Sequence, residues 1–268
     1  MTFDPTGQIA VVTGAGSGIG KAFAHALASR ASAVFLADID GAAVRSVAET
    51  LKAQVGHGNR PVVIEARALD VADPAAVAAL AAEIEETAGP IDLWVSNAGI
   101  HRGLGLGEPD DWRVSLDVNV LGHVNSAAAA IPSMRRRNRG CFVIMASAAG
   151  LLSDLRSAPY TAAKHAAVAL AEWIAIDLGG TGASVVCVCP EGVRTQMTRP
   201  DSASSAAAMD FIEPEQVVAS TFEAIAAGRF LALPHARVAE FEIRRATDRE
   251  RWLASMKRAK QRMGQTAA

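Results

Sequence analysis

Seven short apolar runs, each followed by a longer stretch of helical pattern, constrain this chain more than any other feature. The runs are IAVVT (9–13), AVFLAD (33–38), VVIEA (62–66), IDLWVS (91–96), CFVIMAS (141–147), SVVCVCP (184–190) and FLALP (230–234). They are β-rich in composition, and several are apolar throughout, as strands covered on both faces are. Between them, GKAFAHALASR, AAVRSVAETLKAQV and PAAVAALAAEIEETAG carry helical spacing. Asp73 and Pro74 open the last of these as N-cap and first-turn residue, and Gly89 before Pro90 closes it. Strand and helix in alternation imply parallel pairing through right-handed crossovers. The expected fold is α/β: a doubly wound parallel sheet of the Rossmann type, about seven strands with helices on both faces.

No linker or internal repeat divides the 268 residues, so 1–268 reads as one Rossmann-type domain. Half the residues are hydrophobic and 20% are charged, which suits a substantial core without metal or disulfide staples. A net charge of −2 argues against a polyanion binder, so no nucleic-acid partner is expected. The opening MTFDPTGQIAVVTG lacks the regions of a signal peptide, and no apolar run is long enough to span a bilayer. The expectation is a cytoplasmic protein with no membrane partner. Cys187 and Cys189 read as small buried strand residues in a reducing compartment, since same-face strand neighbours make poor disulfide geometry. His25, His57, His101, His123, His165 and His235 are scattered without metal-ligand spacing, so no metal site is expected.

Two segments depart from the rhythm. TRPDSASSAAAMDFIEPE (198–215) is small, polar and proline-flanked, either a substrate lid near the strand ends or a plain loop. The C-terminal extension at 235–262 is helical and arginine-rich, with Phe241, Trp252 and Met256 apolar. Glu240, Glu242, Asp248 and Glu250 interrupt its basic face, which reads as a solvated or subunit-packing helix rather than a nucleic-acid surface.

VVTGAGSGIG ends the first strand and opens the first helix. The familiar G-x-G-x-x-G fails here, because its third glycine would fall on Ile19. The pattern is T-G-x-x-x-G-x-G, with Gly14, Gly18 and Gly20. Glycines permit positive φ and close backbone approach, and a following helix N-terminus offers amide donors to a pyrophosphate. Gly14, Ser17, Gly18, Ile19 and Gly20 are therefore candidate cofactor contacts. Asp38 ends the second strand, where a carboxylate either accepts from an adenosine ribose diol or caps the next turn with Asp40. A 2′-phosphate there meets a like charge with no arginine in the loop to offset it, so NAD is read over NADP. Asp70 and Val71 suit the adenine amino group and ring, and SNAG (96–99) places Asn97, Ala98 and Gly99 where backbone and cofactor can lie close.

Tyr160, the only tyrosine, stands four residues before Lys164 and shares its helix face. A free phenol has a pKa of about 10, and lowering it by about three units takes roughly 4 kcal/mol. Opposite charges about 4 Å apart contribute on that order at an effective dielectric near 20. Lys164 and a cationic nicotinamide together can supply it. Ser147 ends the fifth strand, where its hydroxyl can hold a substrate oxygen. Asn119 sits mid-helix, either as a core polar residue or as an amide that binds a relay water.

TGAGSGIG, Asp38, Asp70–Val71, SNAG, Asn119, Ser147, YTAAK and PEGVRT (190–195) together resemble the short-chain dehydrogenase/reductase family, in its single-domain NAD(P)-binding branch. The resemblance runs from about Gly7 to Thr195. It implies a tetrad of Asn119, Ser147, Tyr160 and Lys164, with Tyr160 as general acid/base, Ser147 positioning the oxygen, and Asn119 ordering a relay water. Lys164 then also binds the nicotinamide ribose, and Pro190, Val193 and Thr195 lie at the nicotinamide. The implied activity is NAD-dependent interconversion of a secondary alcohol and a ketone. Its rivals are an NADP-linked ketoreductase and a silent dinucleotide-binding regulator. The implied assembly is a homo-oligomer, a tetramer or dimer. Glu191 departs from the family's proline–glycine pattern, and Ser96 stands where relatives carry a second asparagine. The substrate end is expected to be lined by His101 and Arg102, by Ser153, Asp154 and Leu155, and by the 198–215 segment. His101 and Arg102 either bind an acidic group or serve a surface loop, and apolar flanks tilt toward a hydrophobic or cyclic alcohol.

Overall fold

Side chains alternate across a strand, so each apolar run feeds two cores at once. On one face Val11, Phe35, Trp94, Phe142 and Ile144 meet Val77, Ile84, Ile131, Ala171 and Ile174 of the covering helices. On the other, Val12, Val34, Leu36, Val95 and Val143 meet Phe23, Leu27, Val44, Leu51 and Ile225. Continuously apolar strands are what this two-sided burial requires.

The computed structural model describes residues 3–55, 62–198 and 210–266. Its strands are β1 (Ile9–Thr13), β2 (Ala33–Asp38), β3 (Val63–Ala68), β4 (Leu93–Ser96), β5 (Gly140–Met145), β6 (Ala183–Val188) and β7 (Leu231–Ala232). All pair in parallel, in the order β3-β2-β1-β4-β5-β6-β7. The helices are α1 (Gly18–Ala28), α2 (Gly41–Val55), α3 (Pro74–Thr87), α4 (Pro109–Leu116), α5 (Gly122–Arg136), α6 (Ala148–Leu151), α7 (Ala158–Asp177), α8 (Pro214–Ala226), α9 (Arg237–Thr247) and α10 (Arg249–Thr266). The expected doubly wound sheet is the observed one. Its strand order reverses direction between β1 and β4, and ligands of such sheets bind beyond the strand ends at that point.

Local chemistry explains the element ends. The Asp73 side chain accepts from the amides of Ala75 and Ala76 at the start of α3, as its spacing from Pro74 predicts. Ser157 caps α7 by accepting from the Tyr160 amide, which sets Tyr160 in the first turn of that helix. Ser147 lies two residues past β5 rather than on it, as the N-cap of α6. Asn119 falls in a π-helical turn, Asp117–Leu121, between α4 and α5. Such a turn is the usual way a helix accommodates a side chain drawn out of register. Most of the 198–215 segment, residues 199–209, lies outside the described residues. Its end is seen: Ile212 bridges in parallel to Val193, and Pro214 opens α8.

Candidate active site

The glycine loop passes directly from β1 into α1. Gly14 has φ +65°, and a Cβ on Gly20 would lie 2.0 Å from the Gly14 carbonyl oxygen, so neither position accepts a side chain. Ser17, the N-cap of α1, makes no side-chain cap bond. Its hydroxyl and the first-turn amides of Gly18 and Ile19 are left for a ligand at the positive end of the helix. Asp38 accepts from the Gly16 amide at 2.8 Å and from the Asp40 amide at 3.0 Å, so it caps the turn while still facing the cavity. Asp70 accepts from the Ala72 amide at 2.9 Å, and Val71 is buried beside it. These residues fit a dinucleotide: an uncapped helix start, a close-approach loop and a carboxylate one strand away.

Asn97 directs its amide inward. It donates to the carbonyls of Thr13 at 3.0 Å and Gly14 at 3.2 Å, while the Thr13 hydroxyl accepts from the amides of Asn97 and Ala98. One cavity of about 530 Å³ collects Gly14, Ser17, Gly18, Ile19, Asp38, Asp70, Val71, Asn97, Ala98, Gly99, Ser147, Tyr160, Lys164, Pro190, Val193 and Thr195. Gly20 is not on its wall; it backs the Gly14 turn.

Asn119 is not on the wall either. Its side chain clamps the Ile100 peptide, accepting from the amide and donating to the carbonyl, both at 3.0 Å. One N–H and one lone pair of that amide are thus engaged with Ile100. Lys164 is buried and donates to the Met145 carbonyl at 2.9 Å, with its ammonium 5.8 Å from the Tyr160 ring centre. Burial pushes the Lys164 ammonium down to about 8. Burial likewise pushes the Tyr160 phenol up to about 12, against a hydrogen bond with Ser147 and with the nearby Asp154 charge adding to the rise. The protein without a ligand thus holds the phenol protonated.

Four features escaped the sequence. Ser96 pairs through its hydroxyl with Nδ1 of buried His123 at 2.7 Å, which accounts for a serine in place of asparagine. Burial and the Lys164 charge push that imidazole down to about 3, keeping it neutral. Glu191 forms an ion pair with Arg237 at 2.5 Å, and its amide donates to Nδ1 of His235 at 3.2 Å. The residue that replaces glycine therefore ties the loop after β6 to the start of α9. Phe241, Trp252, Met256 and Met263, on α9 and α10, line the cavity, with the Phe241 and Trp252 rings 6.0 Å apart. The solvated or subunit-packing role read for this extension is replaced on that face by an apolar wall of the cavity. The i, i+4, i+11 spacing of Trp252, Met256 and Met263 was the available signal.

The fourth feature lies beside Tyr160. His101 meets Asp154 through Nε2 at 2.9 Å, with the two side chains 7% and 6% exposed. Arg156 donates from Nε to Oδ1 at 3.0 Å and from Nη2 to Oδ2 at 2.8 Å. Burial opposes the Asp154 charge, but hydrogen bonds from His101 and Arg156 outweigh it and hold the carboxyl well below the usual range. The His101 ring stands 4.7 Å from the Tyr160 ring. Arg102, expected in the same pocket, turns away to Asp110 and Asp111.

Residues 8–206 match the family model of the short chain dehydrogenases, and the chain belongs to that family. It is 37% identical to meso-2,3-butanediol dehydrogenase of Serratia marcescens over 200 residues, 74% of this chain and 75% of the relative. It is 36% identical to 1-deoxy-11-beta-hydroxypentalenate dehydrogenase of Streptomyces exfoliatus over 233 residues, 83% of this chain and 81% of the relative. A short-chain dehydrogenase/reductase from Burkholderia phymatum, solved in complex with NAD, superposes with a TM-score of 0.80 at 31% identity, covering 92% of this chain and 96% of that one. The protein is an NAD(P)-dependent oxidoreductase acting on CH–OH groups. Among the described residues, no helix is long and apolar enough to cross a membrane, and no cluster of ligating side chains could hold a metal.

Because Tyr160 is the only tyrosine, tyrosinate absorbance reports on it alone. Its folded value lies above the unfolded one, so the stability it contributes is complete below about pH 10 and is lost toward about 12. At about pH 10.5 a free phenol is largely ionised. The folded protein without cofactor should show little tyrosinate there, and urea at the same pH should bring out most of the band. A full band in the folded protein would contradict the burial.

Proposed function

We propose that the protein interconverts a secondary alcohol and a ketone with NAD, on an apolar or cyclic substrate. The observation that carries this reading is the continuity of one cavity. It runs from Asp38 and the glycine loop, past Tyr160, Ser147 and Lys164, to Phe241, Trp252 and Met256. NAD bound along the first part would accept hydride at the second and add a positive charge beside the phenol. The remaining chemistry belongs to the chain. Ser147 holds the substrate oxygen, and Tyr160 takes its proton as the alcohol is oxidised. Lys164, held by the Met145 carbonyl, stabilises the phenolate and binds the nicotinamide ribose. Asn119 keeps the loop after β4 in register through Ile100. Pro190, Val193 and Thr195 bound the nicotinamide end, and the apolar wall excludes water from it.

The preference for NAD rests on Asp38, which the Gly16 amide fixes beside the loop. A 2′-phosphate about 4 Å away is opposed by about 4 kcal/mol at an effective dielectric near 20. A homo-oligomer is supported by apolar side chains left exposed on α7, with Trp173 62% and Ile176 78% exposed, and by Leu121 and Val124 on the π turn and α5.

Replacing Tyr160 by Phe should lower kcat by about 10²- to 10⁴-fold while NADH binding changes by no more than a few-fold. Unchanged turnover refutes the assignment. With the wild type, kcat/KM for NAD should exceed that for NADP by about a hundred-fold, and Asp38→Ala should narrow the ratio. Equal use of both cofactors contradicts the role of Asp38. Sedimentation velocity should give a mass above that of one chain; a monomer at micromolar concentration removes the oligomer.

A further inference from the structure

We propose that His101 accepts a hydrogen bond from a second hydroxyl of the substrate. The cavity then selects alcohols that carry a hydroxyl on the carbon next to the reacting carbinol. This rests on the placement of the reacting oxygen at Tyr160 and Ser147 proposed above.

The chemistry of the His101 ring is set from behind. An ionised carboxylate only accepts hydrogen bonds, so the contact with Asp154 requires the proton on Nε2. In the neutral ring, a proton on Nε2 leaves Nδ1 as a lone-pair acceptor. Among the described residues, the Asp154 contact is the only hydrogen bond this ring makes, and the ring lines the cavity. Arg156 braces Asp154 on both oxygens, so the imidazole is held by a support that is itself rigid. Packing against Tyr160 at 4.7 Å between ring centres, with the planes tilted by 43°, fixes the ring on its remaining side.

Two of the polar side chains that follow Ser147 are already engaged. Ser153 donates to the Leu152 carbonyl, and Arg156 donates from Nε and Nη2 to Asp154. Tyr160 and Ser147 take the reacting oxygen. Across the cavity, Phe241 and Met256 are apolar, and Trp252 can offer only its indole N–H, a donor and not an acceptor. A substrate whose carbinol oxygen rests on Tyr160 brings the substituent of its neighbouring carbon against the adjacent imidazole. A hydrogen there leaves a largely buried acceptor unpaired; a hydroxyl satisfies it. In the oxidation the carbinol carbon loses hydride to the nicotinamide and its hydroxyl loses a proton to Tyr160. The second hydroxyl is neither oxidised nor lost, so the product is a hydroxyketone.

A matched pair of alcohols, 1-phenyl-1-propanol and 1-phenyl-1,2-propanediol, tests this by calorimetry on the protein saturated with NADH. Alcohol and NADH are both reduced, so binding is read without turnover. The diol should bind about ten-fold more tightly than the monool. His101→Leu should remove that preference, with Asp154 still paired to Arg156. His101→Gln, whose amide can donate to Asp154 and accept from the hydroxyl, should restore part of it. Equal binding to the wild type, or a preference that survives in His101→Leu, overturns the role of His101. If that happens while Tyr160→Phe still abolishes turnover, the oxidoreductase reading stands without it. Failure of the wild type to bind NADH removes both.

Discussion

At the carboxyl ends of β1 and β4 the chain departs toward opposite faces of the sheet, and a short set of buried hydrogen bonds keeps the two exits together. Asn97 donates to the carbonyls of Thr13 and Gly14, and the Thr13 hydroxyl receives the amides of Asn97 and Ala98. Polar backbone at a strand end cannot stay buried without such partners. The stitch shapes the glycine turn, which in turn aims the start of α1 at the crevice. Without it the crevice has neither a floor nor a positive end.

The second half of the site is built on that crevice by helices arriving from further along the chain. Ser157 sets the first turn of α7, so that Tyr160 and Lys164 enter on one face, and the Met145 carbonyl anchors the ammonium. Burial raises the phenol to about 12 and lowers the ammonium to about 8. Both shifts oppose charge: near neutral pH the phenol stays protonated, while the ammonium remains mostly charged. A bound cation is what such an arrangement requires before the phenol can take a proton near neutral pH.

The C-terminal hairpin closes the far end. Arg237 binds Glu191, and Arg245 donates to Nε2 of His165 on α7. Two polar anchors therefore hold an apolar face over the cavity. Glu191 departs from the family pattern, and it is one half of the anchor. The same logic applies at Ser96, where the apparent loss of an asparagine accommodates His123. Local departures from a motif are read correctly only with their tertiary partners in view.

Much of the molecule was legible in one dimension, because periodicity and turn chemistry act over a few residues. Continuous apolar runs demanded a two-sided parallel sheet, and the expected β1 and β2 coincide with the observed strands. Asp73 capped α3 as its spacing required, and the glycine pattern placed a close-approach loop after β1. What stayed hidden depends on contacts between distant residues. His101 meets Asp154 fifty-three positions away and Glu191 meets Arg237 forty-six away. Asn119 pairs its side-chain amide with the Ile100 peptide, nineteen positions away. The apolar stripe of α10 was visible as a stripe, but whether it faced water, another subunit or the cavity was decided only by where α9 docks. Sequence determined the sheet and its close-approach glycine turn, since both follow from local sterics and burial; the tertiary fold alone decided which side chains share the cavity beside Tyr160, since nothing local encodes a meeting across the sheet.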